Sequence, residues 1–183
     1  MRKLPKKTVV YADEAYLEFL EPAQQKSMVP LVQNNPNIIV SKTFSKIYGL
    51  AGLRIGYVIG HPDSLKKIAQ YGDTISPSQT AIAAAKASLG DQDFMKLTRD
   101  KNTVARKVLT DYLDQKKINY GKSLTNVVLF PAPKDGKIML SKLEEKGYLI
   151  RIWDYQQKEW CRVSIGTLDE MKGFVKAFEE VVA

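Results

Sequence analysis

Cysteine is nearly missing from this chain: Cys161 stands alone, so no disulfide can close within it and nothing points to an oxidising compartment. Histidine is as scarce, His61 being the only one, and no zinc-ligand spacing occurs. No apolar run approaches the roughly 18 residues that span a bilayer. The opening MRKLPKKTVV has no signal-peptide core, although a targeting segment could precede it. A soluble, cytoplasmic protein is the expectation. Also missing are the glycines of a P-loop, a ribonucleoprotein aromatic motif, an arginine-rich tract and any internal repeat.

What is present is enough to build a core, since 183 residues with 44% hydrophobic composition exceed what a small domain requires. The formal charge is +8, from 28 Lys and Arg against 20 Asp and Glu. That excess admits a non-catalytic basic binding module, whose affinity for nucleic acid would fall steeply with salt and survive Lys46→Ala. The lysines, however, are scattered through amphipathic stretches such as residues 63–71 and 94–117. Solvated helix faces explain them.

Short apolar runs at residues 8–11, 37–40 and 54–59 read as buried parallel strands. Helical periodicity follows Pro62 and Asp63, with His61 in the cap region. Ser76-Pro77 reads as the start of an alanine-rich helix to about Leu89, and Gly90-Asp91 as its break. A long helix over 94–117 carries an apolar stripe of Phe94, Leu97, Val104, Val108, Leu109 and Tyr112. Beyond it come a strand at 126–130, a helix at 138–146, strands at 148–153 and 161–165, and a closing helix. The capping box Thr167-Leu168-Asp169-Glu170 opens that last helix, which is expected to bury Leu168, Met171, Phe174, Val175, Phe178 and Val182. The fold class is α/β: part of a doubly wound sheet over residues 1–91, then a smaller α/β domain over 92–183.

The first strand should end near Asp13, and strand ends of parallel sheets are where ligands bind. An acid there is ordinarily a turn or cap residue. The second strand runs into Ser41-Lys42-Thr43-Phe44-Ser45-Lys46, with hydroxyls three and one residues ahead of a lysine. Hydroxyls, backbone amides and a cation together can hold a phosphate. Arg54 follows within GLAGLRIGY, where glycines allow tight turns and a guanidinium can fork onto an anion.

Together DEAYLEF, SKTFSK, GLAGLRIGY and RVSIGT, in this order and spacing, resemble the fold-type I pyridoxal-phosphate enzymes, specifically the histidinol-phosphate aminotransferase family. The resemblance runs over essentially the whole chain. It implies pyridoxal 5'-phosphate as cofactor, Lys46 as the Schiff-base lysine, and Asp13 at the pyridine nitrogen. Tyr16 would meet the phenolic oxygen, while Thr43, Ser45 and Arg54 would hold the phosphate. Arg162 would receive the carboxylate of the amino donor, and Arg151 aligns with a second substrate-anion arginine across a shortened loop. Small-molecule amino-acid and keto or aldehyde substrates, histidine biosynthesis and a homodimer are implied in the same way.

The family's N-terminal half has no counterpart here: the cradle that caps the phosphate, the aromatic that stacks on the ring and the asparagine at the phenolic oxygen are not found. The chain is therefore expected to be a piece of such an enzyme, inactive by itself. The segment YGDTISPS at 71–78 lacks the Pro-Phe-Asn-Val type stretch of a histidinol-phosphate enzyme, which leaves the acceptor open. A threonine-phosphate decarboxylase-like reaction is the alternative within the same cofactor class.

Overall fold

The structure, a computed structural model, describes residues 5, 7–72 and 76–183. The first residues of the opening stretch and residues 73–75 of the 71–78 segment lie outside the described residues. The chain divides into two compact units, Met1–Lys96 and Leu97–Ala183. Among the described residues no helix is long and apolar enough to cross a membrane, and no group of three His, Cys, Asp or Glu could hold a metal.

The first unit is built on a three-stranded sheet of β1 (Val10–Asp13), β2 (Ile38–Thr43) and β3 (Gly56–Gly60), in that spatial order. β1 and β2 are parallel, with Asp13 opposite Ser41. The expectation that all three strands run parallel is corrected by β3, which pairs antiparallel to β2. Residues 44–55 return without a helical crossover, and a parallel pairing requires one. Both leading strands also continue past their apolar runs, because the backbone ladder tolerates any side chain: the Glu14 amide still donates to Ser41 O at 3.0 Å. Asp13 is thus the last strand residue.

Alternation assigns the faces. Ile38 and Val40 are fully buried on one face, with Val10 and Ala12 packed beside them. A second cluster of Phe19, Phe44, Ile47, Tyr48, Ala85 and Met95 sits beyond the strand ends. The short helix α1 (Val29–Val32) and α2 (Pro62–Ala69) pack beside the sheet, and α3 (Gln79–Gly90) contributes Ala85 to the second cluster. His61 caps α2, its Nδ1 accepting from the Asp63 amide at 3.4 Å. α3 is capped by Ser78, whose hydroxyl accepts from the Ala81 amide at 3.1 Å, and not by Ser76 as the sequence suggested. Ser78 is the serine whose hydroxyl reaches that amide three residues on.

The second unit packs α5 (Gly136–Glu145), α6 (Leu168–Val182) and most of α4 (Gln92–Gln115) on an antiparallel sheet. Its strands are β4 (Val127–Pro131), β5 (Arg151–Tyr155) and β6 (Lys158–Ser164), with β6 central. Phe130 and Phe178 are fully buried and meet edge to face at 5.6 Å. The capping box at Thr167 forms as its sequence pattern requires. Along α4 the expected stripe holds in its C-terminal part, where Leu109 and Tyr112 are buried and Val108 packs beside them, but Phe94, Leu97 and Val104 are exposed, and Met95, Ala105 and Leu113 are buried instead. Arg99 and Asn102 share the buried side. Choosing the large apolar residues hid a face that includes alanine and two polar side chains. Leu168 at the start of α6 is likewise 38% exposed, while Ala177 and Val181 are buried.

Candidate functional site

Asp13 closes β1 and Thr43 closes β2, at the same end of two parallel strands. By alternation Asp13, Ser41 and Thr43 share one face of the sheet. The Asp13 carboxylate is oriented locally, accepting from the Ala15 amide at 3.0 Å and from the Ser41 hydroxyl at 3.4 Å. Thr43 Oγ1 accepts from the Ser45 amide at 3.1 Å, which turns the chain out of the strand while its own O–H can still donate.

Lys46 rides on the loop that follows. Phe44, Ile47 and Tyr48 bury themselves around it, and the loop closes through Gly49 N to Lys46 O at 2.9 Å and Leu50 N to Phe44 O at 3.0 Å. Gly49 takes φ +70°, a conformation that costs glycine little. Lys46 Nζ stands 5.3 Å from the centre of the Tyr16 ring, within cation–π range. The structure thus brings Tyr16 and Lys46 together from separate loops.

Arg54 follows a 3-10 turn at Ala51–Leu53 and adopts the left-handed conformation, φ 50°, ψ 47°. Its guanidinium is exposed and gives one donor to Ala51 O at 2.9 Å; a guanidinium has five. Next along the chain, Gly56 faces Thr43, and a Cβ there would lie 2.8 Å from Lys42 O. Only glycine lets β3 approach the strand end this closely.

On the opposite face lies a cluster that the sequence reading passed over. Lys42 pairs with Glu14 at 3.0 Å and Glu18 at 2.6 Å, all three largely buried. Glu14 also accepts from the Ser27 hydroxyl at 2.8 and 3.0 Å and the Met28 amide at 2.6 Å. Burial pushes the Glu14 carboxyl up, but the Met28, Ser27 and Lys42 bonds outweigh it and hold it below the ordinary carboxylate range. Burial also pulls Lys42 down, and its bonds to Glu18 and Glu14 raise it above the ordinary range. The signal was available: Lys42 continues the every-second-residue row of Ile38 and Val40, so a lysine falls on the buried face.

In the second unit Arg151 and Arg162 are direct cross-strand partners on β5 and β6, and so project from the same face. The Arg162 guanidinium lies 5.5 Å from the Trp153 ring, a stacking that holds the fork in place. A concavity of about 680 Å³ on this unit is lined by Leu129, Trp153, Tyr155 and Trp160. Cys161, opposite Phe130 in the core, is a buried thiol pushed up to about 12, first by burial and then by Glu159.

An oriented carboxylate, two hydroxyls and a lysine at parallel strand ends form a donor set suited to a phosphorylated ring compound. The chain belongs to the aminotransferase class I and II family, whose model matches residues 2–178. The histidinol-phosphate aminotransferase of Brevibacillus brevis is 33% identical over all of this chain and half of its own length. That of Limosilactobacillus fermentum is 37% identical over 93% of this chain and 46% of its own. The crystal structure of the Sinorhizobium meliloti histidinol-phosphate aminotransferase in complex with pyridoxal-5'-phosphate superposes with a TM-score of 0.87. It is 29% identical, covering 99% of this chain and 50% of that one. The chain spans about half the length of the curated relatives it matches.

Proposed function

We propose that this chain carries the lysine, the ring acid and part of the phosphate site of a pyridoxal-phosphate-dependent aminotransferase of the histidinol-phosphate type. The observation that carries this reading is the placement of Asp13, Ser41 and Thr43 on one face at parallel strand ends, with Thr43 three residues ahead of Lys46. The donor set fits the cofactor: Thr43, Ser45 and Arg54 are hydrogen-bond donors for a phosphate, and Asp13 is a carboxylate whose orientation is already fixed.

Pyridoxal phosphate, when bound, supplies an electron sink for the charge left at the substrate α-carbon. Asp13 keeps the ring nitrogen protonated, because a carboxylate favours the charged form of its partner. Tyr16 donates to the phenolic oxygen. Lys46 Nζ is the primary amine that would hold the cofactor's aldehyde carbon, and as a free amine it would act as the base that carries a proton between the substrate α-carbon and the cofactor.

Arg162 anchors the carboxylate of the amino donor, glutamate being the donor to try first. Its guanidinium offers a planar pair of donors, and the Trp153 ring limits its rotation. Arg151, its direct cross-strand neighbour, takes a second substrate anion: two like charges opposite one another repel unless an anion lies between them. The test is the visible absorption, before and after glutamate, of the cofactor-loaded protein that carries this chain. Conversion of the band to that of the amine form of the cofactor is expected, and an unchanged spectrum would refute transamination with this donor.

A further inference from the structure

Lys42 lies between Ser41 and Thr43 but points away from both, in line with the buried Ile38 and Val40. Its ammonium meets Glu14 Oε2 at 3.0 Å and Glu18 Oε1 at 2.6 Å. Those carboxylates stand two residues before and two after Tyr16, and Glu14 directly follows Asp13. A buried ion pair is a weak source of stability, since an apolar trio of similar volume often does as well or better. It is a directional link, however, and this one joins two particular segments. One carries Asp13 and Tyr16, the other Thr43 and Lys46.

We propose that Lys42 is a positioning residue whose two ion pairs hold the Asp13–Glu18 segment against β2 and so set Tyr16 beside Lys46. This inference rests on the reading of Lys46 as the amine that links to pyridoxal phosphate. Glu14 is held from the far side by Ser27 and Met28, so the link extends from the strand end to the start of α1. Without the Lys42 charge, Glu14 keeps those two partners and its amide bond to Ser41 O but loses its side-chain tie to β2, and Glu18 loses its tie through Lys42. Tyr16 then has its own neighbours, Phe19 among them, but no fixed distance to Lys46.

The experiment uses the protein that carries this chain, with Lys42→Met and with Lys42→Met combined with Glu14→Gln, which removes the more buried of the two carboxylates that lose Lys42. Three quantities are read: the unfolding temperature, the rate of borohydride-stable incorporation of pyridoxal phosphate at Lys46, and the pH midpoint of the visible band. In Lys42→Met the incorporation rate should fall by roughly 10²-fold, the scale of a misplaced reacting group, and the midpoint should move. The double variant should recover the unfolding temperature while rate and midpoint stay displaced. Wild-type rate and midpoint in either variant, with only the unfolding temperature changed, would overturn the inference and leave Lys42 a structural residue. Absence of any Lys46 adduct in the unmodified protein would overturn the reading beneath it, and the inference with it.

Discussion

Lys46 holds its ammonium 5.3 Å from the centre of the Tyr16 ring. The two residues come from loops after different strands, so the contact records how β1 and β2 deliver their ends to one place. An electron-rich ring face steadies a cation without neutralising it. A lysine so placed keeps a defined direction while its amine stays available.

Replacing Lys46 by alanine should abolish the borohydride-stable adduct with pyridoxal phosphate, because only a primary amine forms the link that is reduced. Mass spectrometry of the reduced, digested protein reads the result. A retained adduct would place the link on another lysine.

In the protein that carries this chain, Asp13→Asn should leave the cofactor bound and slow α-proton removal by roughly 10²- to 10³-fold, the usual scale for losing one aligned electrostatic partner. The amide keeps the shape of the turn at Ala15 but no longer favours a protonated ring nitrogen. Single-turnover absorbance changes measure this directly. Turnover at the unmodified rate would take Asp13 out of the site.

For Arg162→Lys in the protein that carries this chain, kcat/KM for the amino donor should drop about 10- to 100-fold, since a charge-assisted hydrogen bond contributes about 1.5–3 kcal/mol. Cofactor affinity should hardly change. Lysine keeps the charge but gives up both the planar fork and the stacking on Trp153. Steady-state kinetics set beside a cofactor titration separate the two effects.

The Glu14–Lys42 pair gives the first unit a defined pH response. Glu14 is lowered in the fold, so its contribution is present above the ordinary glutamate value of about 4.3 and is lost as pH falls toward the folded value. Lys42 is raised, so its contribution is present below the ordinary lysine value of about 10.4 and is lost as pH rises through the folded value. Unfolding temperatures measured from pH 3 to 6 should decline on the acid side, and Glu14→Gln should flatten that limb.

Cys161 should resist thiol reagents in the native protein and react on unfolding, because the thiol is buried and pushed up to about 12. Phe178→Ala, which empties the space facing Phe130, should cost about 3–5 kcal/mol and speed that labelling. Equal labelling rates in the two proteins would mean that Phe178 does not hold the second unit closed.

Patterns contained in a few consecutive residues were legible from the sequence. Thr167 and Glu170 form their capping box because both partners lie within one turn. The Ser41–Lys46 segment lands at a strand end because apolar residues precede it and a glycine turn follows. Asp13, Tyr16, Thr43, Ser45, Lys46 and Arg54 were nominated through the family resemblance that such short motifs carry, and the fold places Tyr16 against Lys46. Choices that depend on distant partners were not legible. The direction of β3 follows from how residues 44–55 return to the sheet, and the stripe of α4 turns on a face that buries Arg99, Asn102 and Ala105. The link from Lys42 to Glu14 and Glu18 needed the tertiary structure most of all. Sequence places a lysine on a buried row, but only the pairing of two strands, and the loop folded beneath them, decides which carboxylates it meets.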